Sequence, residues 1–351
     1  MKKLNFIVYF VLFLSLFTQT SFSQANFAVV SNNGQTIITT TLTDAVEQAS
    51  NGDFIYLPPG NFGIDDLQIA KQVHLIGVGH YPQATSSTGP TVVNGTIRFM
   101  QGADGSSVQG IRLNGTIICG TNETNCNISN LVVKRCYFNF MYLSYAWNST
   151  TTGSDFLITE NIIHGAIFAG NGANLTLSKN IIFQYDLYSR PITLFNNAIV
   201  ENNIIIGIDG WNGNDVKGTT FRNNILPVGN LGVVNGRESN IYLNNLHTIE
   251  EGLFTAGVVQ NEGNVKIARE NMFVNQEGGA FSYEHDYNLT QEAINAITGT
   301  DGTQVGIYGT NEPYKEYAIP PNPNIEFIKV SPSTQPDGKL RIEATVKAQQ
   351  K

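Results

Sequence analysis

Polar side chains recur in this chain at a fixed distance from a repeated asparagine. The asparagine precedes two apolar residues, and the residues found six positions beyond it are Asp186, Asp209, Asn230, Glu251 and Glu277. If successive units of the chain stack on one another, Asp186 and Asp209 lie about 5 Å apart on one outer face. Two carboxylates held that close bind a cation such as Ca²⁺ or share a proton. The spacing therefore predicts a candidate calcium or catalytic site at this pair.

Aromatic and charged residues follow the same acidic positions. Tyr188 and Trp211 lie eight residues beyond the repeated asparagine in two adjacent units. Aromatic rings with a polar edge can form a platform for a sugar ring. Arg237 and Glu251 come from the following units, and we group all four as candidate substrate-binding residues.

Two reactions on a sugar polymer fit these residues. In a lyase, Arg190 or Lys217 would abstract the proton, while Asp186, Asp209 or a bound Ca²⁺ would neutralise or orient the uronate. In a glycoside hydrolase, the two Asp residues would be the acid and the nucleophile at the separation of about 5 Å that retaining enzymes use. A simpler alternative is that polar residues at this offset only end a strand, and the sequence favours that alternative because structural arrangements also place charges in columns.

The element that would position these residues is a repeat of about 22 residues. The phrase reads Leu-Ile-Thr-Glu-Asn-Ile-Ile at 157–163, and its asparagine returns at Asn180, Asn203 and Asn224, more loosely at Asn245 and Asn271, with Cys136 ahead of them all. From 136 to 271 the mean spacing is (271 − 136)/6 = 22.5 residues. A β-rich repeat of this length indicates a solenoid, in which no single unit buries its apolar face alone.

The repeated asparagine has two expected roles. Asn enters the left-handed backbone region more easily than other non-Gly residues, and its amide can bond the neighbouring backbone in a turn. Stacked between coils, such residues form a hydrogen-bonded ladder. The flanking Ile and Val belong to short strands, where β-branched side chains pack well.

The two ends of the repeat carry signals for capping. Thr41-Leu42-Thr43-Asp44 has capping-box spacing and predicts a helix over 41–52 that covers the first coil, followed by a strand at 53–57. We expect a short helix at 290–298, and a terminal hairpin from 325–330 and 340–348 whose second strand is half-buried, because its apolar and polar residues alternate. The predicted organisation is signal peptide 1–23, N-terminal segment and capping helix 24–52, parallel β-helix 53–288 and C-terminal capping region 289–351.

The run TLTDAVEQASNGDFIYLPPGNF from Thr41, the strand VHLIGVG at 73–79 and the later Asn-Ile-Ile coils together resemble secreted proteins of the pectate-lyase-like superfamily. The resemblance covers roughly 41–277 and implies an all-β, single-stranded right-handed parallel β-helix, here of about 10 coils. The NTD, GHG and RIK motifs of the polygalacturonases and the WIDH-type strand of the pectate lyases are absent, so the resemblance says little about activity.

The N-terminus has the features of a secretion signal. Lys2 and Lys3 precede an apolar run over 4–17, and Ser21-Phe22-Ser23 offers a cleavage point near Ser23. We expect a monomer in the periplasm, at the cell surface or outside a bacterium, with no membrane span in the mature chain. Removing 1–23 leaves a net charge of 18 − 28 = −10, which argues against nucleic acid as a partner.

Three cysteines remain in the mature chain. Cys119 and Cys126 are close enough in sequence to form a disulfide in an exported protein, and Cys136 stands at the repeated asparagine position. Three free thiols are the alternative.

The sequence thus favours a protein that binds, and could cleave, an extracellular polysaccharide. No cofactor other than Ca²⁺ is indicated. The alternative is a non-catalytic adhesion or structural protein whose solenoid is a rigid rod, and the sequence does not decide between them.

Overall fold

Two long, mainly parallel sheets together form the coils of a right-handed parallel β-helix. The computed structural model describes residues 26–31, 34–121, 127–143, 153–169, 174–183, 192–193, 197–206, 216–227, 239–249, 258–321 and 323–347. The superhelical architecture predicted from the repeat is confirmed.

Each coil contributes one short strand to the first sheet and one to the second. The strands of the first sheet are β1 (Phe27–Val30), β2 (Thr36–Thr39), β3 (Asp53–Tyr56), β5 (Val73–Ile76), β7 (Ser107–Gln109), β9 (Val132–Lys134), β11 (Phe156–Thr159), β14 (Leu175–Ser178), β17 (Ile199–Glu201), β19 (Thr220–Arg222), β21 (Asn240–Leu243) and β23 (Val258–Glu262). Those of the second sheet are β4 (Gly60–Ile69), β6 (Thr91–Phe99), β8 (Arg112–Cys119), β10 (Tyr137–Tyr142), β12 (Ile162–His164), β13 (Ile167–Phe168), β15 (Ile181–Phe183), β16 (Ile192–Thr193), β18 (Ile204–Ile206), β20 (Ile225–Leu226), β22 (Leu246–His247) and β24 (Val265–Lys266).

The solenoid has about seven turns, fewer than the ten that the mean spacing predicts. Strands of three residues or more face each other in both sheets from β3 and β4 through β17 and β18. In β20, β22 and β24 the second-sheet strand shrinks to two residues, so the last coils are only partly formed within the described part of the chain.

The paired Ile residues of the repeat divide between two apolar cores. In each doublet the second residue points into the solenoid, as Ile163, Ile182 and Ile205 do, and belongs to what we call the inner core. The first residue points outward into a separate cluster, which we call the outer cluster; its second-sheet members include Ile162, Ile181, Ile204, Ile225 and Leu246. Successive side chains of a strand face opposite sides, so two adjacent apolar residues require apolar packing on both faces of the second sheet.

The predicted asparagine ladder is confirmed and consists of Asn161, Asn180, Asn203, Asn224, Asn245 and Asn264. In each step the side-chain oxygen of one asparagine accepts from the backbone N–H and the amide of the asparagine one coil earlier, at 2.8–3.1 Å. The buried backbone N–H of Cys136 begins the ladder by donating to Asn161 at 2.9 Å. Asn264, and not Asn271, is its last member, because Asn271 lies in a 3₁₀ turn over Arg269–Asn271.

The left-handed residue of each turn is the one before the ladder asparagine, which corrects the sequence prediction. Positive φ angles of 48° to 57° occur at Arg135, Glu160, Lys179, Asn202, Asn223 and Asn244. This conformation turns the chain between the two sheets and directs the ladder amide inward. It is adopted even by Glu, Lys and Arg, whose Cβ makes the region unfavourable.

The side chains or backbone of these six left-handed residues hold residues 298–320, which we call the docked segment. It runs back along the solenoid, and its contacts are Asn244 Nδ2 to Thr298 O at 2.7 Å, Thr300 N to Asn223 Oδ1 at 2.8 Å, Asn202 Nδ2 to Gly306 O at 3.2 Å, Lys179 Nζ to Glu312 O, Lys315 N to Glu160 Oε2 at 3.3 Å and Arg135 Nη1 to Ile319 O at 3.0 Å. Val305, Ile307 and Tyr314 from the docked segment complete the outer cluster.

The N-terminal cap forms as predicted and is larger than expected. Helix α1 spans Leu42–Gln48, and its N-cap Thr41 accepts a hydrogen bond from Asp44 N at 3.0 Å. Three of its side chains are buried in the inner core. β1 and β2 add two antiparallel strands at the start of the first sheet, which the sequence prediction missed.

The C-terminal elements are also partly as predicted. Helix α2 (Gln291–Ala296) follows an antiparallel pair of β25 (Phe273–Asn275) and β26 (Asp286–Leu289), and a second 3₁₀ turn spans Glu316–Ala318. The terminal hairpin forms from β27 (Asn324–Val330) and β28 (Ile342–Lys347), but every residue of β28 is exposed, so the expected half-burial is wrong. Among the described residues, no helix has the length and apolar character needed to cross a membrane.

Candidate functional site

Nearly all residues proposed for chemistry from the sequence lie outside the described residues. They are Asp186, Tyr188, Arg190, Asp209, Trp211, Arg237 and Glu251. Lys217 is described: its side chain is exposed, and its carbonyl accepts from Asn197 N at 3.2 Å and Thr219 Oγ1 at 3.1 Å, at the entry to β19 of the first sheet. The column of acidic and aromatic residues therefore stays a prediction.

The described residues carry a different candidate surface on the second sheet. It begins where the strand register shifts, between Ile64 and Asp66 in β4 and between Phe138 and Phe140 in β10, and we call this irregularity the bend. The sequence Asn-Gly-Thr occurs at 94–96 and again at 114–116, and the two copies are in register between β6 and β8. Gly95 has a φ of +131°, and a Cβ on Gly115 would lie 1.8 Å from the Gly95 carbonyl oxygen. Only glycine permits this close approach.

We call the outward side of the strand halves beyond this bend the distal face. Its inward-facing neighbours Leu67, Ile97, Ile117, Met141 and Ile167 belong to the inner core. The outward side chains form two rows across adjacent strands, one of Asp66, Thr96, Thr116 and Phe140, and one of Gln68, Arg98, Ile118, Tyr142 and Phe168.

A polar end and an aromatic end can be distinguished on the distal face. Arg98 Nε donates to both carboxylate oxygens of Asp66 at 3.0 Å, and Arg98 Nη1 donates to the Gly120 carbonyl at 2.8 Å. At the other end, the rings of Tyr142 and Phe168 are parallel, with centroids 4.6 Å apart and an interplanar angle of 1°. Both rings are half-buried, so part of each is accessible.

On the other side of the bend, amide side chains form an outward row. Asn94 Nδ2 donates to Asn61 Oδ1, Asn114 Nδ2 donates to Asn94 Oδ1 at 2.9 Å, and Arg112 Nε donates to Asn114 Oδ1 at 3.2 Å. Asn61 and Asn114 are exposed. Each amide of such a row retains hydrogen-bonding capacity beyond these contacts.

An aromatic cluster borders this amide row. Arg112 lies over the ring of Tyr137, with 5.1 Å from its central carbon to the ring centroid. Burial lowers the pKa of His80 to about 3, with the charge of Arg112 acting in the same direction. Burial also raises the pKa of Tyr283, whose hydroxyl is 3.2 Å from His80 Nδ1, to about 12. At neutral pH His80 and Tyr283 are therefore uncharged. In the group formed by Arg112, Tyr137, His80 and Tyr283, the charge is on Arg112.

The chemistry available on the described surface is binding chemistry. Hydroxyl, amide and guanidinium groups form hydrogen bonds with sugar hydroxyls, and aromatic faces pack against the apolar face of a sugar ring. The carboxylate of Asp66 is engaged by Arg98. Within the described residues, no group of three or more His, Cys, Asp or Glu side chains could hold a metal ion, and the predicted calcium pair lies outside them.

Comparisons of this chain with protein-family models, with curated proteins and with solved structures give no match.

The distal face was not predicted from the sequence, although the sequence contains a signal for it. The Asn-Gly-Thr phrase repeats after 20 residues, close to the period of the coils, and marks both the amide row and the bend. Tyr142 and Phe168 stand at matching positions of successive coils, but no repeated neighbour identifies them in the sequence.

Proposed function

We propose that this protein is exported and binds an extended extracellular polysaccharide along the distal face. The observation that supports this most directly is the parallel Tyr142–Phe168 pair beside rows of hydroxyl, amide and guanidinium groups. A flat sheet surface with stacking and hydrogen-bonding groups at the strand spacing of about 4.8 Å suits a long, repeating ligand. A rod used only for adhesion or spacing would not require this combination.

Binding is tested with a panel of neutral and acidic polysaccharides by affinity electrophoresis and by calorimetry. Replacing Tyr142 or Phe168 with Ala removes part of the stacking surface, and we expect a loss in affinity of about tenfold for each, as for the removal of a well-packed aromatic contact. Tyr56→Ala is the matched control, because Tyr56 is an exposed aromatic residue of the first sheet. If no polysaccharide binds, or if all three variants bind alike, the rod alternative is preferred.

Cleavage is a further part of the proposal and concerns other residues. If the bound polymer is cleaved, we propose Asp186 and Asp209 with Arg190 or Lys217 as the reacting groups, with Ca²⁺ at the two carboxylates. The double substitution Asp186→Asn and Asp209→Asn should then abolish product formation while leaving Tyr142-dependent binding intact. Unchanged cleavage in the double variant would exclude the pair, and no cleavage of any polymer by the wild type would leave a binding protein.

A further inference from the structure

Arg112 is held firmly at the start of β8, on the side of the bend away from the distal face. Its Nε donates to Asn114 Oδ1, and its guanidinium lies over the Tyr137 ring. Asn114 is itself fixed by its bond to Asn94. These contacts restrict the guanidinium plane but use only one of its five N–H donors.

The remaining donors of Arg112 have no acceptor among the described residues, which sets it apart from the other half-buried arginines there. Arg98, Arg135 and Arg222 each pair with a carboxylate at 2.7–3.0 Å. Arg269 instead donates to the Pro227 and Gly278 carbonyls and to Gln276 Oε1. The unpaired donors of Arg112 are not among the buried atoms, so they remain open to an acceptor from outside the chain.

Among the described residues, no acidic side chain forms an ion pair with Arg112. The titratable groups shown to respond to its charge are His80, Tyr137 and Tyr283, which are all uncharged at neutral pH. His80 is 1% exposed, and its Nε2 has no hydrogen-bond partner within the described part of the chain. A buried polar atom without a partner thus lies close to the accessible donors of Arg112.

We propose that Arg112 is the centre of a carboxylate-binding site that is separate from the distal face. The planar guanidinium fork matches a carboxylate in a bidentate geometry, and the Tyr137 ring below it and the Asn114 amide beside it hold the fork in place. The carboxylate could belong to a small organic acid or to an acidic polymer, and both present the same group to Arg112.

The test uses a pair of ligands that differ mainly in the carboxylate, namely glucuronate and glucose. Binding is followed through the chemical shifts of isotope-labelled protein, which reports weak binding and the residues involved. We expect glucuronate to bind with shifts centred on Arg112, His80 and Tyr137, and glucose to give none of them. Chloride is the third ligand: it carries charge but has no pair of oxygen atoms for the planar fork, so it should bind more weakly.

Three variants complete the test. Arg112→Lys keeps the cation over Tyr137 but removes the fork, and the affinity for glucuronate should fall about tenfold or more. Arg112→Met should abolish binding. Arg222→Met is the matched control because Arg222 is paired with Glu201 on the first sheet, and it should bind as the wild type does. If Arg112→Met does not fold, the lysine variant carries the test alone.

The result that overturns the proposal is an absence of glucuronate binding by the folded wild type, or equal binding by wild type and Arg112→Lys. Chloride binding as tight as glucuronate would also overturn it, because charge alone would then explain the site. Comparing glucuronate with a polyglucuronate identifies the source: tighter binding of the polymer per carboxylate supports a polymer ligand, and equal binding supports a small acid. Glucuronate binding is read from shifts at Arg112, His80 and Tyr137, and distal-face binding from the loss of polysaccharide affinity in Phe168→Ala. A failure of the distal-face proposal and a failure of this one can therefore be distinguished.

Discussion

Replacing Asn203 with Ala should cost far more stability than replacing the last asparagine of the same ladder. Asn203 is completely buried, and its Oδ1 accepts from Asn180 N at 2.9 Å and Asn180 Nδ2 at 3.0 Å. Its Nδ2 donates to Leu177 O at 2.8 Å and to Asn224 Oδ1 at 3.1 Å. The alanine variant keeps the backbone of the turn but removes all four side-chain contacts.

The expected loss follows from the groups left without partners. Asn180 Nδ2 keeps other acceptors, among them Ile158 O at 2.9 Å, and Asn224 Oδ1 still accepts from Asn203 N. The backbone N–H of Asn180 and the carbonyl of Leu177 lose these side-chain contacts in a site that water does not reach. At about 1–3 kcal/mol for each of these two buried groups, Asn203→Ala should lower the free energy of unfolding by about 2–6 kcal/mol.

Asn264→Ala is the matched control. Asn264 makes the same contacts to Asn245, at 2.9 and 2.8 Å, but it is half-buried at the end of the ladder. Water can replace the lost contacts there, so we expect a loss of about 1 kcal/mol or less.

The measurement is equilibrium unfolding in urea, followed by far-ultraviolet circular dichroism and by tyrosine fluorescence. Coincidence of the two transitions must be checked first, because a solenoid can unfold in parts. If Asn203→Ala and Asn264→Ala lose the same stability, or if Asn203→Ala loses less than about 0.5 kcal/mol, the ladder does not stabilise the coils as argued.

Three further predictions concern single positions. Burial holds the folded-state pKa of His80 near 3, against 6.5 for the free side chain, so the contribution of neutral His80 to the free energy of unfolding should be complete above pH 6.5 and should be lost as the pH falls towards 3. In urea titrations at pH 7, 6, 5 and 4, His80→Gln should make the free energy of unfolding depend less on pH. An unchanged pH dependence would refute this role of His80. Gly115→Ala should lower the free energy of unfolding by about 1–3 kcal/mol or more, because the new methyl group would lie 1.8 Å from a backbone oxygen. Gly63→Ala is the control: no atom lies within 4 Å of its Cβ position, so its free energy of unfolding should stay within about 0.5 kcal/mol of the wild type. Equal melting temperatures of the two variants would disprove the close approach. The structure has Cys119 as a thiol buried in the inner core rather than as half of a disulfide, so the Cys119–Cys126 bond expected from the sequence is wrong; thiol counting under denaturing conditions should find three thiols, and a count of one would show that the pair is oxidised.

Local repetition made much of the fold predictable. The Asn-Ile-Ile phrase identified the coils and the ladder because both depend on residues at a fixed position in each unit. The N-caps Thr41 and Thr290 were also visible, because a capping hydroxyl accepts from the backbone N–H three residues further along the chain. The error of assigning the left-handed conformation to the asparagine itself arose from residue preference, which the turn overrides by placing Glu160 and Lys179 there.

The long-range contacts could not be predicted in this way. The docked segment joins residues that are 104 apart in sequence at Asn202 and 184 apart at Arg135, and it carries no repeat. The apolar first residue of each Ile doublet showed that the outer face of the second sheet needed a cover, but not which segment supplies it. The candidate surfaces were missed for the same reason, since Tyr142 meets Phe168 and Arg112 meets Tyr137 only when coils stack.

The position of the docked segment separates the structural side of the second sheet from the side available for binding. Its hydrogen bonds use the left-handed residues at the turn between the two sheets, and its apolar side chains cover the doublet residues next to that turn. Burial alone would raise the pKa of the Glu160 carboxylate, but the hydrogen bonds and charges of Arg135 and Lys134 outweigh burial and lower it. The Glu160 carboxylate, which accepts from Lys315 N of the docked segment, therefore stays ionised at neutral pH. The outward residues beyond the bend, Thr96, Thr116 and Tyr142 among them, lie outside the cluster that this cover completes. In sequence, the segments that hold Asp186 and Asp209 directly follow second-sheet strands, at the end away from the ladder turn. The distal face thus lies apart from the docked segment, so variants in Tyr142 and Phe168 can test binding without removing any of the hydrogen bonds that hold that segment.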